Sequence, residues 1–427
     1  MKDLIAELQW RGMIHQTMPG LEEQLSKEMT SGYIGFDPTA NSLHIGNLAT
    51  IMLLKQLQLA GHKPYALVGG ATGMVGDPSG KSAERNLLDE ETLRYNQDCI
   101  KKQLEKFLDF DCGDNSAVMV NNYDWFKEFD FLGFLRDVGK HITVNYMMAK
   151  DSVKNRLETG ISFTEFSYQL LQGYDFYHLY KEHDVRLQMG GSDQWGNITT
   201  GTELIRRMGG GSAFALTCPL VTKADGTKFG KSEAGNVWLD PELTSPYAFY
   251  QFWLNVTDED APKLIRVFTL YTQEEIEAFE KEHAEAPHLR VLQHAIANEV
   301  TTRVHGKVAL EGAKAASQIL FNKKATFDDL KSIDLLTWKG IAKELPLRSV
   351  SKDQLGTVEE VADLLSNTTE NLIFKSKGEA TRMIKGGGVR INKDKVADPK
   401  QGVDFELVHD RYMLVQVGKR FFLIEAE

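Results

Sequence analysis

The first half of the chain alternates short, almost continuously apolar runs with longer segments of helical periodicity. Two segments, "NLATIMLLKQLQLAG" and "NITTGTELIRRMGG", place apolar residues three or four positions apart, which predicts helices. Apolar runs bounded by turn residues predict five strands: "SGYIGFD", "KPYALVGG", "SAVMVNNYDW", "DVRLQMGGSDQ" and "SAFALTCPLV". Apolar strands separated by helices are typical of a parallel sheet covered on both faces. Residues 1–235 are therefore predicted to form an α/β domain, interrupted by a helical insertion at about 130–180.

The second half changes character after Gly235. Ser245 and Pro246 predict a helix start, and Thr272 with Glu275 predicts a capping box. Helical patterns continue to about residue 321, so 236–325 is predicted to be an all-helical domain. A polar, weakly periodic stretch at 326–355 predicts a linker, and 356–427 predicts a small α+β domain.

Composition and charge narrow the class of protein. No apolar run is long enough to span a membrane, and the N-terminus predicts an amphipathic helix rather than a secretion signal. The three cysteines are far apart, which argues against a disulfide set or a zinc site and favours a cytoplasmic location. The net charge is −11, yet residues 371–395 carry seven basic side chains against two acidic ones. Nucleic-acid binding is therefore expected at a local patch only.

A helix opens with His44-Ile45-Gly46-Asn47 directly after the first strand. Helix N-termini bind phosphate through free N–H groups and the helix dipole. His44 and Asn47 are three residues apart and project to one face, and Gly46 allows a ligand close to the backbone. The alternative is that His44 only caps a buried turn.

Three lysines, Lys223, Lys228 and Lys231, lie in the loop 223–232 after the fifth strand. Such a loop can close over a polyphosphate and neutralise the charge on a leaving pyrophosphate. The alternative is a solvated surface loop, and Lys81 and Arg85 after "GDPSG" are ambiguous in the same way.

Taken together, these segments resemble a known family. His-Ile-Gly-Asn after the first strand and Lys-Phe-Gly-Lys-Ser after the last are similar to the H-I-G-H and K-M-S-K-S signatures of class I aminoacyl-tRNA synthetases. "YIGFDPTANSLHIGN", "ALVGGATGMVGDPSGKSAER", "NNYDW", "SFTEFSYQLLQGYDF", "QMGGSDQWGNI" and "KADGTKFGKS", in this order, resemble the bacterial tyrosyl-tRNA synthetases over nearly the whole chain. The departures are Asn47 for the second His, Ile34 where many relatives have Cys, and Phe229-Gly230 for Met-Ser.

The resemblance implies a Rossmann-like catalytic domain and a two-step reaction of tyrosine, ATP and tRNA(Tyr), with Mg²⁺ accompanying ATP and no protein-ligated metal. It implies a tyrosine pocket formed by Tyr33, Asp77, Asn122, Tyr168, Gln172, Asp175, Gln188 and Gln194. It implies an ATP and adenylate site formed by Gly35, Asp37, Thr39, His44, Asn47, Gly191, Asp193, Lys228 and Lys231. Catalytic roles would fall to His44, Asn47, Lys81, Arg85, Lys228 and Lys231. Taken one at a time, Tyr33 and Tyr168 are better explained as core residues, and Asp175 as an exposed helix acid.

The end of the chain resembles the RNA-binding unit of ribosomal protein S-four. A basic helix, a glycine turn and a strand are suited to the shape and phosphates of structured RNA. The expected RNA contacts are Lys377, Arg382, Lys385, Arg390 and Lys393, and the alternative is a solvated basic hairpin. The resemblance also implies a homodimer with the helical insertion at its interface, and an anticodon-side role for 236–325.

Three other functions remain open. A tryptophanyl-tRNA synthetase shares the fold and both signatures, but would not be expected to pair Tyr33 with Asp175. A small nucleotidyltransferase with the same signature has no need of the helical domain and the RNA-binding tail. A catalytically inactive RNA-binding relative would have no need of the lysines and the pocket residues.

Overall fold

The computed structural model describes residues 2–77, 89–154, 160–227, 229–232, 235–322 and 324–427. The chain divides into two compact units. The first comprises Met1–Asp240 and Val256–Ile296, and the second comprises Pro241–Asn255 and Ala297–Glu427. None of the helices within the described ranges is long and apolar enough to cross a membrane.

The first unit is organised around a six-stranded sheet. Its strands are β1 (Gln16–Thr17), β2 (Ser31–Phe36), β3 (Lys63–Val68), β4 (Val118–Asn121), β5 (Val185–Gly191) and β6 (Phe214–Cys218). The order across the sheet is β1-β6-β5-β2-β3-β4. Strands β2 to β6 pair in parallel, and only the two-residue β1 runs antiparallel, against β6. A short antiparallel pair, β7 (Lys231–Ser232) and β8 (Gly235–Asn236), lies outside this sheet. The predicted parallel α/β fold is confirmed.

The helices of the described residues follow in chain order. They are α1 (Leu4–Trp10), α2 (Leu21–Lys27), α3 (Ile45–Leu59), α4 (Glu90–Leu104), α5 (Tyr123–Phe126), α6 (Phe131–Asp137), α7 (Val144–Met148), α8 (Asp151–Lys154), α9 (Phe163–His183), α10 (Trp195–Gly209), α11 (Pro246–Leu254), α12 (Ala261–Phe268), α13 (Gln273–Glu285), α14 (Val291–His305), α15 (Lys307–Phe321), α16 (Phe327–Ser332), α17 (Leu335–Glu344), α18 (Lys352–Thr357), α19 (Val361–Asp363) and α20 (Lys377–Lys385). Short 3₁₀ turns occur at Thr72–Met74, Gly139–His141, Ser192–Gln194 and Pro287–Leu289, and a π turn at Leu364–Thr368. Ser245 caps α11 and Thr272 caps α13, as their sequences predict.

The second unit contains a five-stranded sheet. Its strands are β9 (Leu347–Val350), β10 (Val389–Ile391), β11 (Asp394–Lys395), β12 (Tyr412–Val417) and β13 (Arg420–Ala426), in the order β11-β10-β12-β13-β9. Buried aliphatic side chains of these strands pack on α19 and α20 in one core.

The segment 326–355 differs from the predicted linker. It forms α16, α17 and most of α18, and β9 pairs in parallel with β13, the last strand of the chain. Trp338 of α17 is fully buried, and its ring stacks on that of Tyr412 of β12 with 5.8 Å between the ring centres. The sequence pattern did not reveal β9 because its partner strand is the last strand of the chain.

Candidate active site

A cavity of about 560 Å³ lies at the carboxyl ends of β2, β3 and β5. The chain leaves β2 for β3 and β4 on one side, and then crosses to β5 on the other side of β2. Ligands in open parallel sheets bind at such a reversal, where loops diverge from neighbouring strands. The cavity therefore lies where the loops that carry the sequence motifs were expected to converge.

The buried end of the cavity is built around Asp175 on α9, which is 2% exposed. Trp125 Nε1 donates to Asp175 Oδ1 at 2.9 Å, and Asn122 Nδ2 donates to Oδ2 at 3.1 Å. Asn122 Nδ2 also donates to Thr72 Oγ1 at 3.0 Å, which ties this cluster to the turn after β3. Burial raises the pKa of Asp175 well above its ordinary range, while the two donors oppose that shift.

Within the described part of the chain, two buried polar atoms of the cavity wall have no hydrogen-bond partner: the Tyr33 hydroxyl and Gln188 Oε1. Tyr33 is 1% exposed. Burial, and then the charge of Asp175, raise the pKa of the Tyr33 hydroxyl well above its ordinary range, so it keeps its proton. Buried polar groups are normally satisfied. A hydroxyl that keeps its proton beside a carboxylate fits a polar ligand atom between them.

The middle of the cavity carries a second set of linked polar groups. The Tyr168 hydroxyl donates a hydrogen bond to Asp37 Oδ2 at 2.8 Å, and the Thr72 hydroxyl donates one to Asp37 Oδ1 at 2.7 Å. Gln194 Nε2 donates to Asp77 Oδ2 at 2.7 Å. Two carboxylates at the cavity wall, Asp37 and Asp77, favour a cationic group such as an ammonium ion at this level.

The outer part of the cavity contains the N-terminus of α3. Gly46 N donates to His44 Nδ1 at 2.9 Å, and His44 N donates to Asn47 Oδ1 at 3.1 Å, which completes a capping box. The capping alternative is therefore correct for Nδ1. Because Nδ1 accepts a hydrogen bond, a neutral His44 carries its proton on Nε2 and can donate from there.

The lysine loop lies against this helix start. Val237 N donates to Gly230 O, Ile45 N donates to Val237 O at 2.9 Å, and Leu239 N donates to Leu43 O at 2.8 Å. A Cβ atom built on Gly230 would lie 3.1 Å from Gly46 N, so the two signature segments are in direct contact. The backbone of Lys231 follows Gly230 directly and begins β7.

The family follows from comparison with known proteins. Residues 25–322 match the model of the class I tRNA synthetases (W and Y), which is more than half of the chain. The chain belongs to this class I tRNA synthetase family. Residues 372–409 match the S4 domain model. The predicted resemblance to bacterial tyrosyl-tRNA synthetases is confirmed.

Similar proteins of this class I family cover the chain closely. It is 62% identical to the tyrosine–tRNA ligase of Cytophaga hutchinsonii over 424 residues, 99% of each chain. It is 60% identical to that of Porphyromonas gingivalis over the whole of both chains. A C-terminally truncated mitochondrial tyrosyl-tRNA synthetase of Aspergillus nidulans superposes with a TM-score of 0.67 at 29% identity, covering 75% of this chain and 95% of that one.

Most residues expected from the class I resemblance lie together at the cavity. Its wall contains Tyr33, Gly35, Asp37, Thr39, His44, Asn47, Asp77, Tyr168, Gln172, Asp175, Gln188, Gly191, Asp193 and Gln194. Asn122 lies behind the wall as a partner of Asp175. Lys81, Arg85 and Lys228 lie outside the described residues, and Lys231 is described through its backbone. Within the described ranges, no group of His, Cys, Asp and Glu side chains is arranged to hold a metal ion.

Sequence reasoning missed four polar or aromatic participants. Thr72 and Trp125 connect to Asp37 and Asp175, and Asn197 donates to Gln172 Oε1 at 3.0 Å. Trp238 lines the cavity with its ring edge against the His44 ring at 5.8 Å. The only signal for Trp125 and Asn197 was their position inside the motifs "NNYDW" and "QMGGSDQWGNI".

The basic tail residues divide into two kinds. Lys377, Arg382, Lys385 and Arg390 are exposed, and Lys377 forms an ion pair with Glu360 at 2.8 Å. Lys393 is only 6% exposed, and its ammonium group donates to Leu320 O at 2.7 Å. The expectation that Lys393 contacts RNA is therefore at odds with its burial, because the β10–β11 turn directs it inward.

Proposed function

We propose that this chain attaches L-tyrosine to tRNA(Tyr), using ATP. Tyrosine's carboxylate attacks the α-phosphorus of ATP to give tyrosyl-adenylate and pyrophosphate, and a ribose hydroxyl at the tRNA 3′ end then takes the tyrosyl group. The observation that carries this proposal is the protonated Tyr33 hydroxyl beside the buried Asp175 carboxyl. The hydroxyl of a phenol inserted there accepts a hydrogen bond from the Tyr33 hydroxyl and donates one to the Asp175 carboxylate.

The reaction asks mainly for alignment of the two substrates. The attacking carboxylate is already anionic, so no protein nucleophile is required. Asp77, Tyr168 and Gln172 hold the α-ammonium, with Gln188 and Gln194 supporting the pocket. Gly35, Thr39, Gly191 and Asp193 line the adenylate, near Asp37. The tyrosine carboxylate then lies between the residues that hold the α-ammonium and those that line the adenylate, where it faces the α-phosphorus of ATP.

The phosphate end stabilises charge. Asn47 Nδ2 and His44 Nε2 donate to phosphate oxygens, and the dipole of α3 makes this helix end electropositive. Lys81, Arg85, Lys228 and Lys231 hold the pyrophosphate as it leaves. Mg²⁺ arrives with ATP as part of the substrate.

Other parts of the proposal concern partners and location. The chain acts as a cytoplasmic homodimer, with the insertion at about 130–180 at the interface. The helices of 236–325 meet the anticodon side of tRNA, and the S4-type domain within 356–427 binds tRNA through its exposed basic residues. The presence of an S4 domain match and of exposed Arg382 and Lys385 supports the RNA contact.

The test is the exchange of labelled pyrophosphate into ATP without tRNA, run in parallel with tyrosine, tryptophan and phenylalanine. Exchange that depends on tyrosine alone is the expected result, because only tyrosine satisfies both Tyr33 and Asp175. Exchange with tryptophan would assign the chain to the tryptophan enzymes of the same family. A folded protein that binds tRNA but exchanges with none of the three would favour an inactive RNA-binding relative.

A further inference from the structure

Lys393 differs from the other basic residues at the end of the chain. Its ammonium group donates to the carbonyl oxygen of Leu320 at 2.7 Å and lies 3.4 Å from that of Asn322. These carbonyls belong to the last turn and the C-cap of α15. The same nitrogen lies 5.6 Å from the centre of the Phe421 ring.

The end of α15 is a suitable place for a buried cation. The last carbonyl groups of a helix have no partners within it, and the helix dipole makes this end negative. A buried ammonium group must be paired to be tolerated. The two carbonyls and the aromatic face supply that pairing.

The backbone conformation of the β10–β11 turn indicates that the contact of the Lys393 side chain stabilises this turn. Asn392 and Lys393 form the two-residue turn between β10 and β11, with φ of 48° and 77°. Glycine is the residue that adopts such angles without strain, and a lysine does so only at a cost. Asn392 offsets its part by accepting from Leu414 N and donating to Glu406 O. For Lys393 the compensating contact is the one to α15.

The turn also carries an exposed basic residue. Arg390 Nη1 donates to Lys393 O at 2.9 Å, so the position of Lys393 sets that of the Arg390 guanidinium group. Phe321, at the end of α15, packs edge to face against Phe421 of β13, with 5.7 Å between the ring centres.

We propose that Lys393 is a positioning residue, which anchors the β10–β11 turn to the end of α15 and so presents Arg390 to RNA. The RNA part rests on the proposed function, whereas the anchoring part rests on the contacts alone. Lys393 is accordingly assigned to the protein's interior and removed from the RNA-contacting set.

Three full-length variants test the anchor. Lys393→Met keeps the length of the arm and removes its charge, and Lys393→Gly relieves the positive φ but removes the arm. Lys395→Met is the matched control, because Lys395 is an exposed lysine on β11 of the same hairpin. Hydrogen exchange is measured at 316–325 and 389–396, and tRNA binding is measured across a series of salt concentrations.

Both Lys393 variants are expected to exchange at least tenfold faster in these two segments, while Lys395→Met stays within twofold of the wild type. The Kd for tRNA should rise about three- to tenfold in Lys393→Met, with an unchanged slope of log Kd against log salt. A slope lowered by about one with unchanged exchange would overturn the proposal, since that is the signature of a lost phosphate contact. Unchanged exchange and unchanged Kd would also overturn it. A wild-type chain that binds no tRNA would contradict the proposed function, and the exchange data would still decide the anchor.

Discussion

The two ends of the cavity present different kinds of chemical group to a ligand. The buried end holds Asp175 between two fixed donors, Trp125 and Asn122, and places the Tyr33 hydroxyl beside it. The outer end uses the side chains of His44 and Asn47 at the start of α3, together with a loop of lysines. A neutral phenol is recognised by a few directed hydrogen bonds, whereas a triphosphate is recognised by summed charge and many donors.

This difference predicts a division of labour. Directed hydrogen bonds in a dry site discriminate strongly, because a wrong ligand leaves buried groups unpaired. Tyrosyl-tRNA synthetases are the reference case for such discrimination. Charged groups at an open end affect the rate more than the choice of substrate. Variants at the two ends should therefore separate the selection of the amino acid from the chemical step.

The largest effect is expected at the buried end, from Asp175→Asn. Both carboxylate oxygens accept hydrogen bonds from Trp125 and Asn122, so the new amide nitrogen must face one of these donors. With the ligand hydroxyl also deprived of its acceptor, about 4 kcal/mol is lost, or ~10³-fold in kcat/KM for tyrosine in pyrophosphate exchange. Asp184→Asn, at the exposed C-cap of the same helix, is the control and should be neutral. A loss below tenfold in a folded Asp175→Asn protein would contradict the role given to Asp175.

At the outer end, Lys231→Ala should lower kcat of pyrophosphate exchange by about 10²- to 10³-fold, the usual effect of removing one transition-state donor. The KM for tyrosine should stay within twofold, and tRNA binding should be unchanged. Lys223→Ala removes a lysine from the base of the same loop, where Lys223 closes a turn with Thr227, and serves as the control. Impaired tRNA binding with intact exchange would show that the loop serves RNA rather than pyrophosphate.

Tyr33→Phe sharpens the comparison by removing a single hydroxyl. One lost hydrogen bond in a buried site is worth about 1–3 kcal/mol, so the preference for tyrosine over phenylalanine should fall roughly 10- to 100-fold. Both amino acids are measured by exchange at saturating ATP. Tyr65→Phe is the matched control, because Tyr65 lies opposite Tyr33 on β3 but outside the cavity wall. An equal loss for both amino acids would indicate a packing defect instead.

The sequence predicted different parts of the molecule to different depths. The parallel sheet and its cavity followed from apolar runs that end in polar residues, since strand ends converge whatever the details of packing. Trp125 as a partner of Asp175 could not be inferred from spacing, because 50 residues separate them. Local charge identified the basic tail, but it does not show whether a given side chain points to solvent or to the interior. Lys393 points inward because Asn392 and Lys393 itself have left-handed backbone conformations. The 326–355 segment was missed because β9 has its partner at the end of the chain.

The contact between the two signature segments gives a smaller and more exacting test. Gly230 has φ of +94°, and an added Cβ would lie 3.1 Å from Gly46 N. Gly226, in the same loop, has φ of +81°, but an added Cβ there would meet nothing within 4 Å. Alanine at either position therefore carries a similar backbone strain, of about 1 kcal/mol, and only Gly230→Ala displaces the α3 N-terminus.

Gly230→Ala should lower kcat of exchange about five- to tenfold while leaving the KM for tyrosine unchanged, because the shift occurs at the phosphate end alone. Gly226→Ala should stay within twofold of the wild type. Equal losses in both variants would mean that the conformation of the loop, and not its contact with Gly46, limits the rate. A change in the KM for tyrosine in Gly230→Ala would mean that the two ends of the cavity are mechanically coupled, and the division of labour between them would then be wrong.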